Sequence, residues 1–245
     1  MPTLAPEIIF YIGSFPVTNT ILNTILVDFI IVISVLYIHK KITKLVPGLF
    51  QNILELLVHG FYDFTETIAG KNTSKIFPFF MTFFLFIIVA NWSGLILGSG
   101  TIGLKEYDGA KEHLIPLFRN ASTDMNFTLA LTFISIFATH ILSFRTIGIK
   151  KYLSHFFSLN PVYLFVGILD IISEAAKIVS FSFRLFGNIF AGEMILTMIG
   201  LLSLFVLPIP FLGFEIFVGL VQAVVFAMLT MVFMSMLMTP KHAEH

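Results

Sequence analysis

The sequence predicts an all-α integral membrane protein with five transmembrane helices and one amphipathic helix at the membrane interface. Of its 245 residues, 57% are hydrophobic and 11% are charged, against about 45–50% and about 25% in soluble domains. The mean hydropathy is +0.97, and 30 residues are Phe. This composition excludes a soluble domain, a disordered chain and a nucleic-acid-binding protein. The sequence contains no Cys, which excludes disulfides, zinc fingers and thiol catalysis.

Five stretches of the chain have the roughly 20 apolar residues that a helix needs to cross a bilayer. The fourth is much longer than a perpendicular crossing, so we expect the last two to form a long tilted hairpin. The prolines of Leu207–Phe211 separate these two, because proline removes a backbone donor and clashes with the preceding turn. The predicted spans, within one membrane domain of residues 1–245, are about 17–38, 76–97, 124–144, 161–207 and 211–238.

A further helix is predicted at about 50–68, where apolar residues recur at helical spacing on one face. Polar residues such as Gln51, Glu55 and Glu66 occupy the other face. This pattern is typical of a helix that lies in the membrane interface. The alternative is a helix packed on a partner protein.

The distribution of Lys and Arg predicts the orientation of the chain, because short cytoplasmic loops carry an excess of both residues. If five spans alternate, only Lys105, Lys111 and Arg119 fall on one side of the membrane. We therefore expect the N-terminus outside and the C-terminus in the cytoplasm. The nine cations on the cytoplasmic side are Lys40, Lys41, Lys44, Lys71, Lys75, Arg145, Lys150, Lys151 and Lys241.

Arg184 lies deep in the fourth span, where an arginine costs about 2.5–3.5 kcal/mol on insertion scales. An ionisable residue inside the membrane is therefore a candidate functional group; the alternative is a structural Arg–Glu bridge between helices. At 100° per residue, Asp170, Lys177 and Asn188 fall within about 40° of Arg184 on the helix wheel, whereas Glu193 points to the opposite face.

Spans four and five carry polar residues that would meet in an antiparallel hairpin. Arg184 would lie level with Gln222, and Glu193 level with Glu215, about 13 Å further outward at 1.5 Å per residue. Two close carboxylates in a low-dielectric wall cannot both ionise cheaply, so we expect this pair to share about one proton. The alternative is that each carboxylate independently faces water in a wide vestibule. Span three has a polar stripe beside His140, formed by Asp124, Thr128, Thr132, Ser135 and Thr139. The hydroxyl groups of this stripe fit either a channel lining or helix–helix hydrogen bonds.

These residues together resemble subunit a of the rotary F-type ATP synthase, bacterial type. The most specific part is Arg-Leu-Phe-Gly-Asn-Ile-Phe-Ala-Gly-Glu at 184–193, followed by the segment from Glu215 to Gln222-Ala. The chain differs from many family members, which pair a carboxylate with a histidine where this sequence has Glu193 and Glu215. Further similarities cover nearly the whole chain: 47–51 with Glu55, Asn91, 122–126, Asp170 and Lys177.

The resemblance implies an ion-translocating stator subunit with two offset half-channels that couple proton flow to rotation of a ring. Arg184 would face the ring carboxylates and separate the two paths. The implied outer half-channel residues are Asn91, Ser122, Asp124, Asn188, Glu193, Glu215 and Gln222. The implied inner half-channel residues are Asp170, Glu174 and Lys177.

The implied partners are a homo-oligomeric ring of small membrane subunits, a peripheral-stalk subunit, the soluble catalytic head through the stalk, and the lipid bilayer. The expected location is a bacterial plasma membrane. No nucleotide-binding loop or zinc-ligand spacing occurs in the sequence, so we expect no cofactor, no metal, no nucleic acid and no ATP site in this chain.

Two other functions are alternatives to the stator subunit. A proton-coupled secondary transporter would show internal repeats with paired broken helices. A membrane anchor would need no buried arginine.

Overall fold

A computed structural model describes residues 5–42, 48–96, 103–108, 111–156, 161–202 and 208–239. Most of these residues are helical, which confirms the coarse prediction of a helical membrane protein. The helices are α1 Asn19–Lys41, α2 Leu49–Ala69, α3 Thr73–Ile96, α4 Met125–Ile147, α5 Ile149–Phe156, α6 Pro161–Leu202 and α7 Pro208–Met238, with 3₁₀ turns at Gly70–Asn72 and Ala121–Thr123.

Four stretches of the described chain are long and apolar enough to cross a membrane. They are Asn19–Lys41, Leu49–Leu95, Met125–Ile147 and Pro208–Met238. The second stretch joins α2, the predicted interfacial helix, to α3. Helix α6 is the longest described helix at 42 residues, but it is not among these four stretches. Its charged residues are Asp170, Glu174, Lys177, Arg184 and Glu193.

Besides the helices, the described chain contains two short antiparallel hairpins that were not predicted from the sequence. Strands β1 Ile8–Ile12 and β2 Phe15–Thr18 form the first, and β3 Gly103–Asp108 and β4 Lys111–Pro116 form the second. The first predicted span therefore begins too early, since β2 includes Val17 and Thr18. Gly13, with φ of +64°, supplies the left-handed residue that a two-residue turn needs.

Several helix ends also differ from the predicted ones, for local reasons. Thr18 caps α1, because its side chain accepts a hydrogen bond from the Ile21 amide. Pro208 and Pro210 belong to the first turn of α7, where their missing N–H groups have no helical partner to lose. Helix α5 was not predicted. The predicted ends at Leu97 and Leu207 lie outside the described residues.

The chain divides into two compact units. Unit 1 comprises 1–43, 84–128 and 183–224. Its apolar core includes the fully buried side chains of Val27, Ile87, Leu185 and Ile189. Its buried polar residues come from α1, α3, the segment 119–128 and α7. Several of them, with the half-buried Glu193 of α6, form the first candidate site.

Unit 2 comprises 44–83, 129–182 and 225–245. Aromatic rings dominate its core: the ring centroid of Phe181 lies 5.3 Å from that of Phe226 and 5.8 Å from that of Phe233. The Phe61 and Phe80 rings, 5.5 Å apart, join α2 to α3 within this unit. The second candidate site lies in unit 2.

Candidate functional site

Asn91 on α3 is the centre of a buried hydrogen-bond network in unit 1. Its amide nitrogen donates to the Gly219 carbonyl on α7 at 3.0 Å, and its side-chain oxygen accepts from the Ser122 hydroxyl at 2.6 Å. The Asn120 side chain donates to the Asn91 carbonyl at 3.0 Å. The network thus joins two predicted half-channel residues, Asn91 and Ser122, and fixes both.

Asp124, a third predicted outer residue, is bonded on both carboxylate oxygens. Oδ1 accepts from the Asn126 amide at 2.9 Å, as a capping residue at the start of α4 does. Oδ2 accepts from the Thr20 hydroxyl of α1 at 2.9 Å. These contacts give Asp124 a structural role in joining α1 to α4.

Arg119 is a buried cation that sequence reasoning assigned to an outer loop. Its side chain is 4% exposed and donates to the Thr123 hydroxyl, the Thr123 carbonyl and the Ala5 carbonyl. The signal in the sequence was weak, since Arg119 follows two apolar residues and precedes the polar run 120–124. Its burial depends on a contact with the distant N-terminal segment.

Glu193 on α6 and Glu215 on α7 lie close enough to interact electrostatically, as the hairpin geometry predicts. The Glu193 carboxylate also lies near the Arg119 charge and within hydrogen-bonding reach of the Thr123 hydroxyl. Glu215 is 4% exposed. With Asn91, Arg119, Ser122 and Thr123, these two residues form what we call the asparagine–glutamate cluster.

A cavity of 230 Å³ lies beside Glu215, and Asn188, Gly192 and Leu196 are among its lining residues. It therefore brings together two predicted outer residues, Asn188 and Glu215. A Cβ at Gly192 would lie 3.1 Å from the carboxyl carbon of Glu215, so this glycine permits the close approach of α6 and α7. A Cβ at Gly187 would meet no atom within 4 Å.

Arg184 is exposed on α6, on the side away from the buried Leu185 and Ile189. Asn188 and Ala191, four and seven residues further along, are also exposed, so they share this face. Gln222 on α7 is buried. The predicted alignment of Arg184 with Gln222 stays a prediction.

Unit 2 contains a second group of ionisable side chains, which we call the histidine–lysine cluster: His140, Tyr152, Glu174 and Lys177. Lys177 Nζ lies 2.7 Å from Glu174 Oε1 and 3.9 Å from the centroid of the Phe233 ring. His140 Nε2 lies 3.7 Å from Glu174 Oε2, and His140 Nδ1 shares a 2.6 Å hydrogen bond with the Tyr152 hydroxyl. The cluster unites the predicted inner residues Glu174 and Lys177.

The predicted inner residue Asp170 is half-buried one helical turn before Glu174. Tyr152, on α5, was not predicted to belong to the site, because nothing in the local sequence connects it with a histidine 12 residues earlier. Burial, and then the Glu174 carboxylate, raises the pKa of the Tyr152 phenol, so the hydroxyl keeps its proton at neutral pH.

The hydroxyl stripe of α4 makes helix–helix hydrogen bonds in unit 2. Ser182 donates to the Thr132 hydroxyl at 3.0 Å, and the Ser135 and Thr230 hydroxyls are 2.7 Å apart. Thr139 donates to the Ser135 carbonyl of its own helix. Of the two predicted roles, these contacts favour helix packing for this part of the stripe.

Among the described residues, five buried side-chain oxygens have no hydrogen-bond partner, and all five belong to unit 1. An unpaired buried polar atom costs about 1–3 kcal/mol unless water satisfies it. Asn19 and Asn23 of α1 were not predicted as site residues, although their spacing of four places both on one helix face. The five atoms are Glu7 Oε2, Asn19 Oδ1, Asn23 Oδ1, Glu193 Oε2 and Glu215 Oε2.

The sequence matches the family model described as ATP synthase A chain over residues 21–235. The chain belongs to this family. ATP synthase subunit a of Moorella thermoacetica is 30% identical over 235 residues, covering 96% of this chain and 97% of the relative. The subunit of Desulfotalea psychrophila is 34% identical over 212 residues, covering 83% and 79%, and that of Mycobacterium tuberculosis is 29% identical over 238 residues, covering 93% and 90%.

Family membership confirms the resemblance and the function that it implied. The chain is a proton-translocating stator subunit of an F-type ATP synthase, and it acts in a membrane complex with other subunits of that synthase. It is a multi-pass membrane protein.

Proposed function

We propose that Arg184 separates two half-channels and faces the carboxylates of a rotating ring of small membrane subunits. The observation that carries this proposal is the exposure of Arg184 on α6 of a membrane subunit. A guanidinium keeps its charge at every physiological pH, so it attracts an ionised carboxylate but cannot relay protons. The open space beside Gly187, one turn further along α6, leaves room for a partner to approach.

The asparagine–glutamate cluster, with Asn188 and Gln222, would form the outer half-channel. Its support is the cavity beside Glu215 together with the unpaired oxygens of Glu193 and Glu215. Buried polar atoms without protein partners are the positions at which ordered water is expected. Water there would connect the two carboxylates to the outer solution.

Asp170, Glu174 and Lys177 would form the inner half-channel. Two offset half-channels force each proton to travel around the ring, and this couples proton flow to rotation. Rotation would then drive ATP synthesis in the soluble head, to which a peripheral stalk holds this subunit. The complex would lie in a bacterial plasma membrane.

The proposal includes five spans, with α6 as the fourth, and α2 at the cytoplasmic interface. The N-terminus would be outside and the C-terminus in the cytoplasm. The burial of Arg119 supports this orientation, because it removes one of only three cations from the outer loops.

Replacing Arg184 with Ala tests the separator. We expect Arg184→Ala to abolish ATP-driven proton pumping and proton-driven synthesis while the complex still assembles. Lys should substitute poorly, because it lacks the planar fork and loses its proton more readily when buried. The matched control is Arg145→Ala at the exposed end of α4, which should pump at the wild-type rate. Pumping near the wild-type rate in Arg184→Ala vesicles would refute the proposed function.

Single cysteines test the orientation, since the native chain has none. A cysteine replacing Asp108, at the end of β3, should react with an impermeant maleimide only from outside. A cysteine replacing Lys150, on α5, should react only from the cytoplasm. Labelling of both positions from the same side would rule out the proposed topology.

A further inference from the structure

The proposed inner half-channel lacks a group that both takes up and releases protons near neutral pH. The side chains of Asp and Glu ordinarily titrate well below pH 7, and that of Lys well above it. Histidine is the side chain whose ordinary pKa lies in this range. In the part of unit 2 that the structure describes, His140 Nε2 lies 3.7 Å from Oε2 of the predicted inner residue Glu174.

The His140 ring is held from both sides. Nδ1 and the Tyr152 hydroxyl are 2.6 Å apart, and the Tyr152 ring meets the His140 ring edge-on with centroids 6.0 Å apart. On the other side, Nε2 lies 3.7 Å from Glu174 Oε2, a gap that a small rotation or a bridging water closes. The His140 side chain is 25% exposed, so part of the ring is open to the surroundings of this unit.

Charged groups of α6 act on His140. Glu174 and Lys177 influence the ring electrostatically, and they are paired with each other at 2.7 Å. Tyr152 is the titratable group that faces it from α5. Helix α7 has no ionisable residue between Val225 and Met238. The Glu174 carboxylate that faces the ring with one oxygen is thus bonded at its other oxygen to the Lys177 ammonium.

We propose that His140 is the proton-transfer group of the inner half-channel, with Tyr152 as its positioning residue and Glu174 as its proton-transfer partner. This inference rests on the proposed inner path and adds to it two residues, His140 and Tyr152. The Tyr152 oxygen accepts the hydrogen of Nδ1, which fixes the tautomer and leaves the lone pair of Nε2 facing Glu174.

During pumping, an O–H bond of a hydronium ion in the inner water breaks as an N–H bond forms on Nε2, so a water molecule is released and His140 becomes an imidazolium. That N–H bond then breaks as an O–H bond forms on Glu174 Oε2, and the imidazole returns to its neutral tautomer. Lys177 stabilises the Glu174 carboxylate, so the protonated state is brief: the Glu174 O–H bond breaks as the proton passes through water to an ionised carboxylate of the rotating ring. During synthesis the same steps run in reverse, and no other reactant is required.

Chemical rescue of the intact complex tests this assignment. In inverted vesicles, ATP-driven pumping is measured as membrane potential. This readout is chosen because a permeant weak base such as imidazole collapses a pH gradient but not a membrane potential. His140→Ala should lower the initial rate about tenfold or more. Imidazole added on the cytoplasmic face should restore part of that rate in His140→Ala and leave wild type unchanged. Pyrazole, a diazole of the same size and a much weaker base, should restore nothing.

A further variant, Tyr152→Phe, distinguishes a proton relay from a packing role. Tyr152→Phe keeps both rings and removes only the hydroxyl; it should lower the rate less than His140→Ala and gain nothing from imidazole. Equal rescue by pyrazole and imidazole would mean that His140 only fills space, and a wild-type rate in His140→Ala would overturn the relay. The amount of subunit in the purified complex verifies assembly of each variant. Arg184→Ala, measured in the same vesicles, distinguishes failure of this inference from failure of the proposed function. Pumping at the wild-type rate in Arg184→Ala would refute the proposed function itself.

Discussion

Ionisable side chains are at least partly buried in both the asparagine–glutamate cluster of unit 1 and the histidine–lysine cluster of unit 2. The two clusters differ in which groups lie next to the oxygens of their carboxylates. In unit 2, Glu174 has Lys177 on one oxygen and His140 near the other. In unit 1, Glu193 and Glu215 each keep one buried oxygen without a hydrogen-bond partner among the described residues. The difference indicates that each unit 1 carboxylate depends on water at one of its oxygens, whereas both oxygens of the unit 2 carboxylate have neighbouring side chains.

Replacing Arg119, the buried cation near the Glu193 carboxylate of unit 1, is expected to give the largest loss of stability and so tests this difference most strongly. We expect Arg119→Ala to cost about 3 kcal/mol or more of stability, since breaking a buried charge arrangement leaves uncompensated partners. The Thr123 and Ala5 carbonyls would lose their donor, and Glu193 its nearby cation. The measurement is the free energy of unfolding in detergent.

Lys177→Met is the corresponding change in unit 2. Lys177 is 18% exposed, and His140 remains beside Glu174 after the substitution, so we expect a loss of about 1 kcal/mol or less. Equal losses for Arg119→Ala and Lys177→Met would mean that the two clusters are compensated alike.

The helices of both units were largely predictable from the sequence, and the clusters only in part. Runs of about 20 apolar residues are a strong signal, and Glu193 and Glu215 could be paired from hairpin geometry alone. Arg119 and Tyr152 could not be found, because the burial of Arg119 depends on Ala5 and the role of Tyr152 depends on His140. These contacts join segments that no local pattern relates.

The two hairpins were missed although their sequences contain turn signals. Gly13-Ser14 separates β1 from β2, and the sequence reads Asp-Gly at 108–109; both dipeptides are typical of two-residue turns. The first hairpin is apolar and was included in part in the first predicted span, whereas the second is charged and was treated as a loop between two spans. The first hairpin matters to unit 1, since β2 ends at Thr18, which caps α1.

The two carboxylates of unit 1 allow a test of the shared proton. Glu193→Gln and Glu215→Gln should each slow passive proton flux through the membrane sector in part. If the pair holds one proton, the double variant should depart from additivity by about 1 kcal/mol in apparent activation free energy. Strict additivity would contradict the shared proton while leaving the path intact.

Asp28 provides the control for that cycle, because it is an exposed carboxylate of α1 in the same unit. Asp28→Asn combined with Glu193→Gln should be additive within about 0.5 kcal/mol. Non-additivity in this control as well would point to a general change in the unit rather than to a shared proton.

The smallest expected effect concerns two buried serines that differ in what they bond. Ser122 in unit 1 donates to the Asn91 side chain at 2.6 Å, and Ser135 in unit 2 pairs with the Thr230 hydroxyl at 2.7 Å. Ser122→Ala leaves the Asn91 oxygen buried without its donor, which should cost about 1 kcal/mol and lower proton flux. Ser135→Ala removes a helix–helix hydrogen bond of the kind that is worth about 0.6 kcal/mol in membranes, and flux should stay at the wild-type rate. Unfolding in detergent and passive proton flux, measured on both variants, give the comparison. A loss of flux in Ser135→Ala that matches the loss in Ser122→Ala would place the α4 hydroxyls in a proton path and reverse the packing role inferred for them.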